Sequence, residues 1–267
     1  ELLPERAAQL EALRRRLLDQ CATWGYRYVI PPLVEFTDSL LIGLGADLDV
    51  VTCKFTDQMS GRMLGVRADI TPQTARMDAH SLGEEGVTRL CYAGSTLQST
   101  PQSVISGRAP IQLGAELFGS SAIEADREVI GLMLSTFECA GVSRPLTLDI
   151  GHIGIYDALF SEAGLDPELE DQIFDALQRK SVPDIERLSA SLPVREAERL
   201  AQLVSLHGSP DVLASARAAF PDEPAVMAAL AQLDTVLAGV EQAFPDVGVY
   251  VDLTELRGFR YHTGLVF

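Results

Sequence analysis

Positive charge is scarce in this chain: 21 lysines and arginines stand against 38 aspartates and glutamates, for a formal net charge of −17. Such an imbalance repels a phosphate backbone at long range. The single basic cluster, Arg14 to Arg16, falls on a helix face, so no nucleic acid is expected as a partner. Cysteine is sparse too. Cys21, Cys53, Cys91 and Cys139 lie far apart in apolar surroundings and form no CxxC pair, which excludes a disulfide framework or thiolate metal site and leaves buried free thiols. No apolar run of eighteen residues occurs, and Glu1 to Gln20 is charged and amphipathic rather than basic and then apolar. Neither a membrane partner nor a signal peptide is therefore expected, and the expected location is cytoplasmic. Gly43-Leu-Gly45 is a lone GxG that reads as a turn, the lone Trp24 reads as core, and His80, His152 and His207 share no ligand spacing, so no metal site is expected.

What is present is material for a sizeable core, 47% apolar over 267 residues. Leu10, Leu13, Leu17, Leu18 and Cys21 recur at helical spacing, which predicts an amphipathic helix over 5–23. Tyr26 to Ile30 reads as a strand stopped by Pro31-Pro32. Residues 50–56 and 62–67 read as a hairpin across a polar, glycine-bearing connection, and Thr71-Pro72 as the start of a helix to about 81. Two strands over 88–98 and 110–119, a helix over 123–140 and a strand at 146–150 follow. From about 165 to 240 the chain is rich in Ala, Leu, Glu and Asp and punctuated by prolines, the pattern of a small helical insertion. Strand character returns at 247–253 and 259–267. Strands far apart with few βαβ alternations predict an α+β fold, a mostly antiparallel sheet flanked by helices. The expected domains are a core over 1–165, an all-helical insertion over 166–240 and a returning core over 241–267.

Four patches could carry chemistry: Val66 to Pro72, Gly94 to Gln98, Gln112 to Gly119, and Leu256 to Gly264. In the third, the period of two places Gln112 and Glu116 on one face of a strand. An acid and an amide opposite an apolar face suit the floor of a pocket for a cationic or hydrogen-bonding ligand, and equally a solvent-facing strand.

Together these patches resemble the class II aminoacyl-tRNA synthetase core, and specifically histidyl-tRNA synthetase. Helix 1 with Gly25-Tyr-Arg-Tyr-Val-Ile-Pro-Pro32 is similar to the dimer-forming first motif, which implies self-association there. Gly65-Val-Arg-Ala-Asp-Ile-Thr71 resembles the loop that holds an ammonium group, and Leu256-Arg-Gly-Phe-Arg-Tyr-His-Thr-Gly264 the histidine signature. The resemblance implies that Asp69, Thr71 and Gln112 hold the α-ammonium, that Glu116 reads the imidazole, that Arg257 lies beside the carboxylate, and that Tyr261 and His262 flank the ring. His262 stands where the family usually has a second tyrosine, and Asp69 where it has glutamate. In the second motif, Gly94-Ser-Thr-Leu-Gln98 carries an amide where an active synthetase carries the arginine that meets the α-phosphate. A neutral amide cannot replace a guanidinium there, and losing one such partner costs about a hundredfold to a thousandfold in rate.

A synthetase-like core without the activating cation resembles the regulatory-subunit family of short-form ATP phosphoribosyltransferase. That resemblance implies a non-catalytic subunit with no catalytic residues and no cofactor of its own, partnered with the short catalytic subunit. The resemblance further implies support of the first step of histidine biosynthesis and of its feedback, with histidine as a possible ligand. An active histidyl-tRNA synthetase and a stand-alone amino-acid sensor are the alternatives.

Overall fold

In the computed structural model, which describes residues 1–41, 46–100, 107–161, 163–256 and 263–267, the first helix begins where a proline costs nothing. Pro4 sits in the first turn of α1 (Pro4–Thr23), where its missing amide hydrogen would have had no partner anyway. The helix stops in a paired cap: Tyr26 N donates to Cys21 O at 3.1 Å and Gly25 N to Ala22 O at 3.0 Å. That cap delivers Tyr26 into a cluster with Cys21, Cys91 and Leu132, against which Leu18 and Trp24 pack. Of the predicted apolar stripe only Cys21 is fully buried; Leu10, Leu13, Leu17 and Leu18 are half-buried.

The chain divides into two compact units, Glu1–Ser143 and Arg144–Phe267. In the first, α1 leads to β1 (Arg27–Tyr28), β2 (Val34–Phe36), α2 (Thr37–Leu40), α3 (Ala46–Val51), β3 (Cys53–Thr56) and β4 (Met63–Val66). Then come α4 (Thr71–Arg76), a π-helical turn (Met77–Leu82), β5 (Thr88–Ser95), β6 (Ile111–Phe118) and α5 (Ile123–Ala140). Two sheets result. In one, β1 runs parallel to β5 and β5 antiparallel to β6; in the other, β4 lies between β2 and β3, antiparallel to both. The predicted hairpin is β3–β4, closed by Asp57, whose carboxylate accepts from the Met59 and Ser60 amides. Strand β1 is shorter than expected, although Val29 N still donates to Cys91 O at 2.9 Å.

The second unit holds β7 (Thr147–His152), α6 (Ile153–Phe160), α7 (Pro167–Gln178), α8 (Val182–Ser189), α9 (Val194–Leu203), β8 (His207–Gly208), α10 (Val212–Ala219), α11 (Pro224–Ala243), β9 (Gly248–Asp252) and β10 (Leu265–Val266). Its sheet has the order β10-β7-β9-β8, with only β7 and β9 parallel. Between Pro167 and Ala243 the described elements are helices except for β8. α11 is long and apolar enough to cross a membrane by length and composition. Its buried residues, Val226, Leu230, Leu233, Leu237 and Val240 among them, recur every three to four, and it packs on α6 and α10 as a core helix. Each such side chain contributes about 1.5–3 kcal/mol on burial.

Across the described strands, antiparallel pairs outnumber parallel ones in both units, in keeping with the mostly antiparallel α+β fold expected from the sequence.

Candidate functional site

The pleat of β6 places Gln112, Gly114 and Glu116 on one face, and the β4–α4 connection brings Asp69 and Thr71 to it. Gln112 is fixed at both ends of its amide: Oε1 accepts from Ile70 N at 3.0 Å, and Nε2 donates to Asp69 Oδ1 at 2.7 Å. Thr71 N donates to the same Asp69 oxygen at 3.0 Å. Among the described residues, Asp69 Oδ2 takes no hydrogen bond, so this carboxylate keeps an acceptor for a cation.

Tyr92, from β5, joins the rest. Its hydroxyl lies 2.9 Å from Thr71 Oγ1 and donates to Glu116 Oε1 at 3.1 Å. Only 2% of Tyr92 is exposed. Burial pushes its phenol pKa up, and the Glu116 charge pushes it further. Burial likewise holds the Glu116 carboxyl above the usual range; hydrogen bonds from Thr71 and Tyr92 oppose this, and the Asp69 charge adds to it. The phenol fits because its register partner is Gly114. A Cβ there would lie 2.3 Å from the Tyr92 hydroxyl oxygen and 2.4 Å from Cζ.

A cavity of about 470 Å³ opens at this network, lined by Asp69, Gln112, Ala68, Thr96, Gln98 and Ile111 among others. That lies inside the range of about 300–1,000 Å³ typical of small-ligand sites. Thr71, Tyr92 and Glu116 do not line it and reach it through the Thr71 amide on Asp69. No lysine or arginine lines it among the described residues. The nearest guanidiniums in sequence are both engaged by backbone. Arg67 donates from Nε to Ser95 O at 2.8 Å and from Nη1 to Pro31 O at 2.7 Å. Arg108 donates to Gln98 O at 3.0 Å.

Of the residues the sequence singles out, the structure thus joins Asp69, Thr71, Gln112 and Glu116 in one network and adds Gln98 at the cavity wall. Arg257, Tyr261 and His262 lie outside the described residues, as do Gly43 and Gly45. Tyr92 was missed; a glycine between Gln112 and Glu116, in register with it, is the signal that could have found it. His80 is exposed, His152 caps α6 through Gly154 N at 3.1 Å and meets Gln232 at 2.8 Å, and His207 meets Tyr250 at 2.6 Å. In the second unit the carboxylates of Asp149, Asp252 and Glu255 come within 4.8 Å of one another. Asp252 there is engaged by Lys180 Nζ at 2.6 Å and by Thr254.

The family model described as histidyl-tRNA synthetase matches residues 1–267. A relative from Marinobacter nauticus, named ATP phosphoribosyltransferase regulatory subunit, is 50% identical over 269 residues, covering 100% of this chain and 68% of its own. A solved structure from Bacillus halodurans, described as an ATP phosphoribosyltransferase regulatory subunit/histidyl-tRNA synthetase, superposes with a TM-score of 0.85 at 28% identity, over 99% of this chain and 69% of that one. A chain of the ATP phosphoribosyl transferase (HisG:HisZ) complex from Thermotoga maritima shares the fold, with a TM-score of 0.72 at 21% identity over 96% of this chain and 85% of that one.

Proposed function

Because this chain belongs to the family of ATP phosphoribosyltransferase regulatory subunits, built on the histidyl-tRNA synthetase fold, we infer that it is the non-catalytic regulatory subunit of that enzyme in histidine biosynthesis. Its partner is the catalytic ATP phosphoribosyltransferase subunit, which we take to be the short form. The observation that carries the reading is the pairing of an intact polar network with a cavity wall that, among the described residues, presents Gln98 and no lysine or arginine. Such a wall offers acceptors for an ammonium group and, at position 98, no fixed cation for the charge that develops on a nucleotide phosphate.

The ligand we propose is histidine, its ammonium on Asp69, Thr71 and Gln112 and its imidazole read by Glu116, with Arg257, Tyr261 and His262 completing the site. Occupancy would bias the complex only if histidine binds its states unequally. Self-association through the first motif is supported by apolar side chains left exposed just after α1, Tyr28, Ile30 and Leu33. Residues 166–240 are proposed as a helical module inserted between two parts of the core over 1–165 and 241–267. A cytoplasmic location goes with a soluble biosynthetic partner, and neither nucleic acid nor membrane enters this reading.

Mixing the purified chain with a short catalytic subunit should restore phosphoribosyl transfer, while histidine-dependent pyrophosphate exchange from ATP stays at background. Exchange above background would sink the reading. Titration calorimetry with histidine should show heat that Glu116→Ala removes; equal heats would remove Glu116 from the site.

A further inference from the structure

Arg67 is 6% exposed, yet no carboxylate pairs with it among the described residues. Burial presses its pKa down, the opposite of what a salt bridge does. Its guanidinium is spent on backbone carbonyls. Nε holds Ser95 O at 2.8 Å, and Nη1 holds Pro31 O at 2.7 Å and lies 3.5 Å from Pro32 O. The main chain of the same residue is also fixed, its N donating to Leu33 O at 3.1 Å and its O accepting from Leu97 N at 2.9 Å. One residue therefore clamps the end of β5, the end of β4 and the proline pair into one block. Residues on either side of that clamp, Ala68 and Asp69 and then Thr96 and Gln98, line the cavity. Gly94 completes the arrangement: a Cβ at that position would stand 2.3 Å from Arg67 Nη2.

We propose that Arg67 is a positioning residue for the amino-acid site, setting the separation of the Asp69 wall from the Gln98 wall without touching the ligand. The proposal rests on the histidine-site reading given above. A planar fork suits this role because it spans two carbonyl directions at once, which a lysine ammonium on a flexible stem does not. Losing the fork leaves buried carbonyls unpaired and lets the two walls part, which stretches the hydrogen bonds that would hold the ligand.

The test uses the full chain with Arg67→Lys, Arg67→Met and Gly94→Ala, the last retaining the guanidinium but displacing it. Two readouts are taken, histidine affinity by calorimetry and amide hydrogen exchange resolved along the chain. Expected are at least tenfold weaker histidine binding in Arg67→Lys and Gly94→Ala, and faster exchange at Ile70, Thr71, Thr96 and Leu97, with exchange across α5 and the second unit unchanged. Lysine should restore thermal stability relative to methionine without restoring affinity, a split that a purely structural arginine would not give. Histidine affinity within twofold of wild type in Arg67→Lys and Gly94→Ala overturns the proposal, as does exchange that rises uniformly over the first unit. If wild type itself takes up no histidine, the ligand assignment fails, and the exchange pattern still decides whether Arg67 sets the walls.

Discussion

Adding one methyl group at Gly114 should dismantle the polar network from its least conspicuous position. A Cβ there would stand 2.3 Å from the Tyr92 hydroxyl oxygen, 2.4 Å from Cζ and 2.7 Å from Cε2. Ordinary contact requires about 3.4 Å or more, so the ring must retreat by about 1 Å. That motion stretches bonds now at 2.9 Å to Thr71 and 3.1 Å to Glu116 past any useful hydrogen-bond length. Overpacking a close-packed site costs about 1–3 kcal/mol, and each lost hydrogen bond about 0.5–1.5 kcal/mol. Gly114→Ala is thus expected to destabilise the first unit by about 2–6 kcal/mol, read from urea unfolding followed by circular dichroism. The discriminating measurement is a cycle with Tyr92→Leu, which removes the atoms the new methyl would strike. If steric conflict with Tyr92 is the cause, the double variant should be more stable than the sum of the singles by more than about 1 kcal/mol. Effects that add to within about 0.5 kcal/mol would refute the reasoning, because the methyl would then be harmful for a reason unrelated to the tyrosine.

Two predictions concern pH. Burial raises the Glu116 carboxyl pKa in the fold, so the folded state binds that proton more tightly than the unfolded chain: the contribution favours folding at low pH and is lost as pH rises through the folded value. Glu116→Gln should therefore melt higher than wild type at neutral pH, by about 2–4 °C for each kcal/mol relieved, with the gap closing below the ordinary carboxylate range; a gap independent of pH would refute this. Asp252, 3% exposed, runs the other way. Burial would raise its pKa, but hydrogen bonds from Lys180 and Thr254 outweigh that and lower it, so its contribution is present above the unfolded value and lost as pH falls through the folded one. Asp252→Asn should cost stability near the low end of the roughly 3–5 kcal/mol for breaking a buried pair, because 31% of the Lys180 side chain is exposed. Its loss should fade in acid; equal unfolding midpoints for the two proteins at neutral pH would contradict the ion pair.

Long periodic elements were legible because burial enforces period. α1 and α5 and the pair β5–β6 stand where the spacing of apolar residues put them. Short or uniformly apolar elements were not. Pro31-Pro32 marks the end of β1, but nothing local shows that Val34-Glu-Phe36 resumes as β2, whose reason to exist is its partner β4, distant in sequence. Ile153 to Phe160 is apolar nearly all round, so α6, with Ile153, Ile155, Tyr156, Leu159 and Phe160 buried, shows no face to read. Residues 50 and 51, expected as strand, close α3 instead. The site divides the same way. Alternation on β6 exposed Gln112 and Glu116, whereas Tyr92 lies in the apolar run Leu90-Cys91-Tyr92 and looks like core until its hydroxyl is seen to bridge Thr71 and Glu116.

Among the described residues, the two arginines nearest in sequence to the cavity-lining stretches are poorly suited to supply the cation that Gln98 does not. Arg67 is held by Ser95 O and Pro31 O, and turning Nε and Nη1 toward a phosphate would release both. Each buried carbonyl left unpaired costs about 1–3 kcal/mol, a penalty incurred before any catalytic gain. Arg108 is cheaper to free, since it is exposed and, among the described residues, holds Gln98 O alone as an oxygen acceptor. Exposure is also what disqualifies it: a guanidinium in water must be desolvated and ordered as charge develops, whereas useful transition-state stabilisation comes from donors fixed beforehand in a dry site. The proposed amino-acid half of the pocket carries no such dependence, because Asp69, Gln112 and Thr71 are held by one another. On the proposed reading, recognition of an amino acid can therefore outlive activation in this fold.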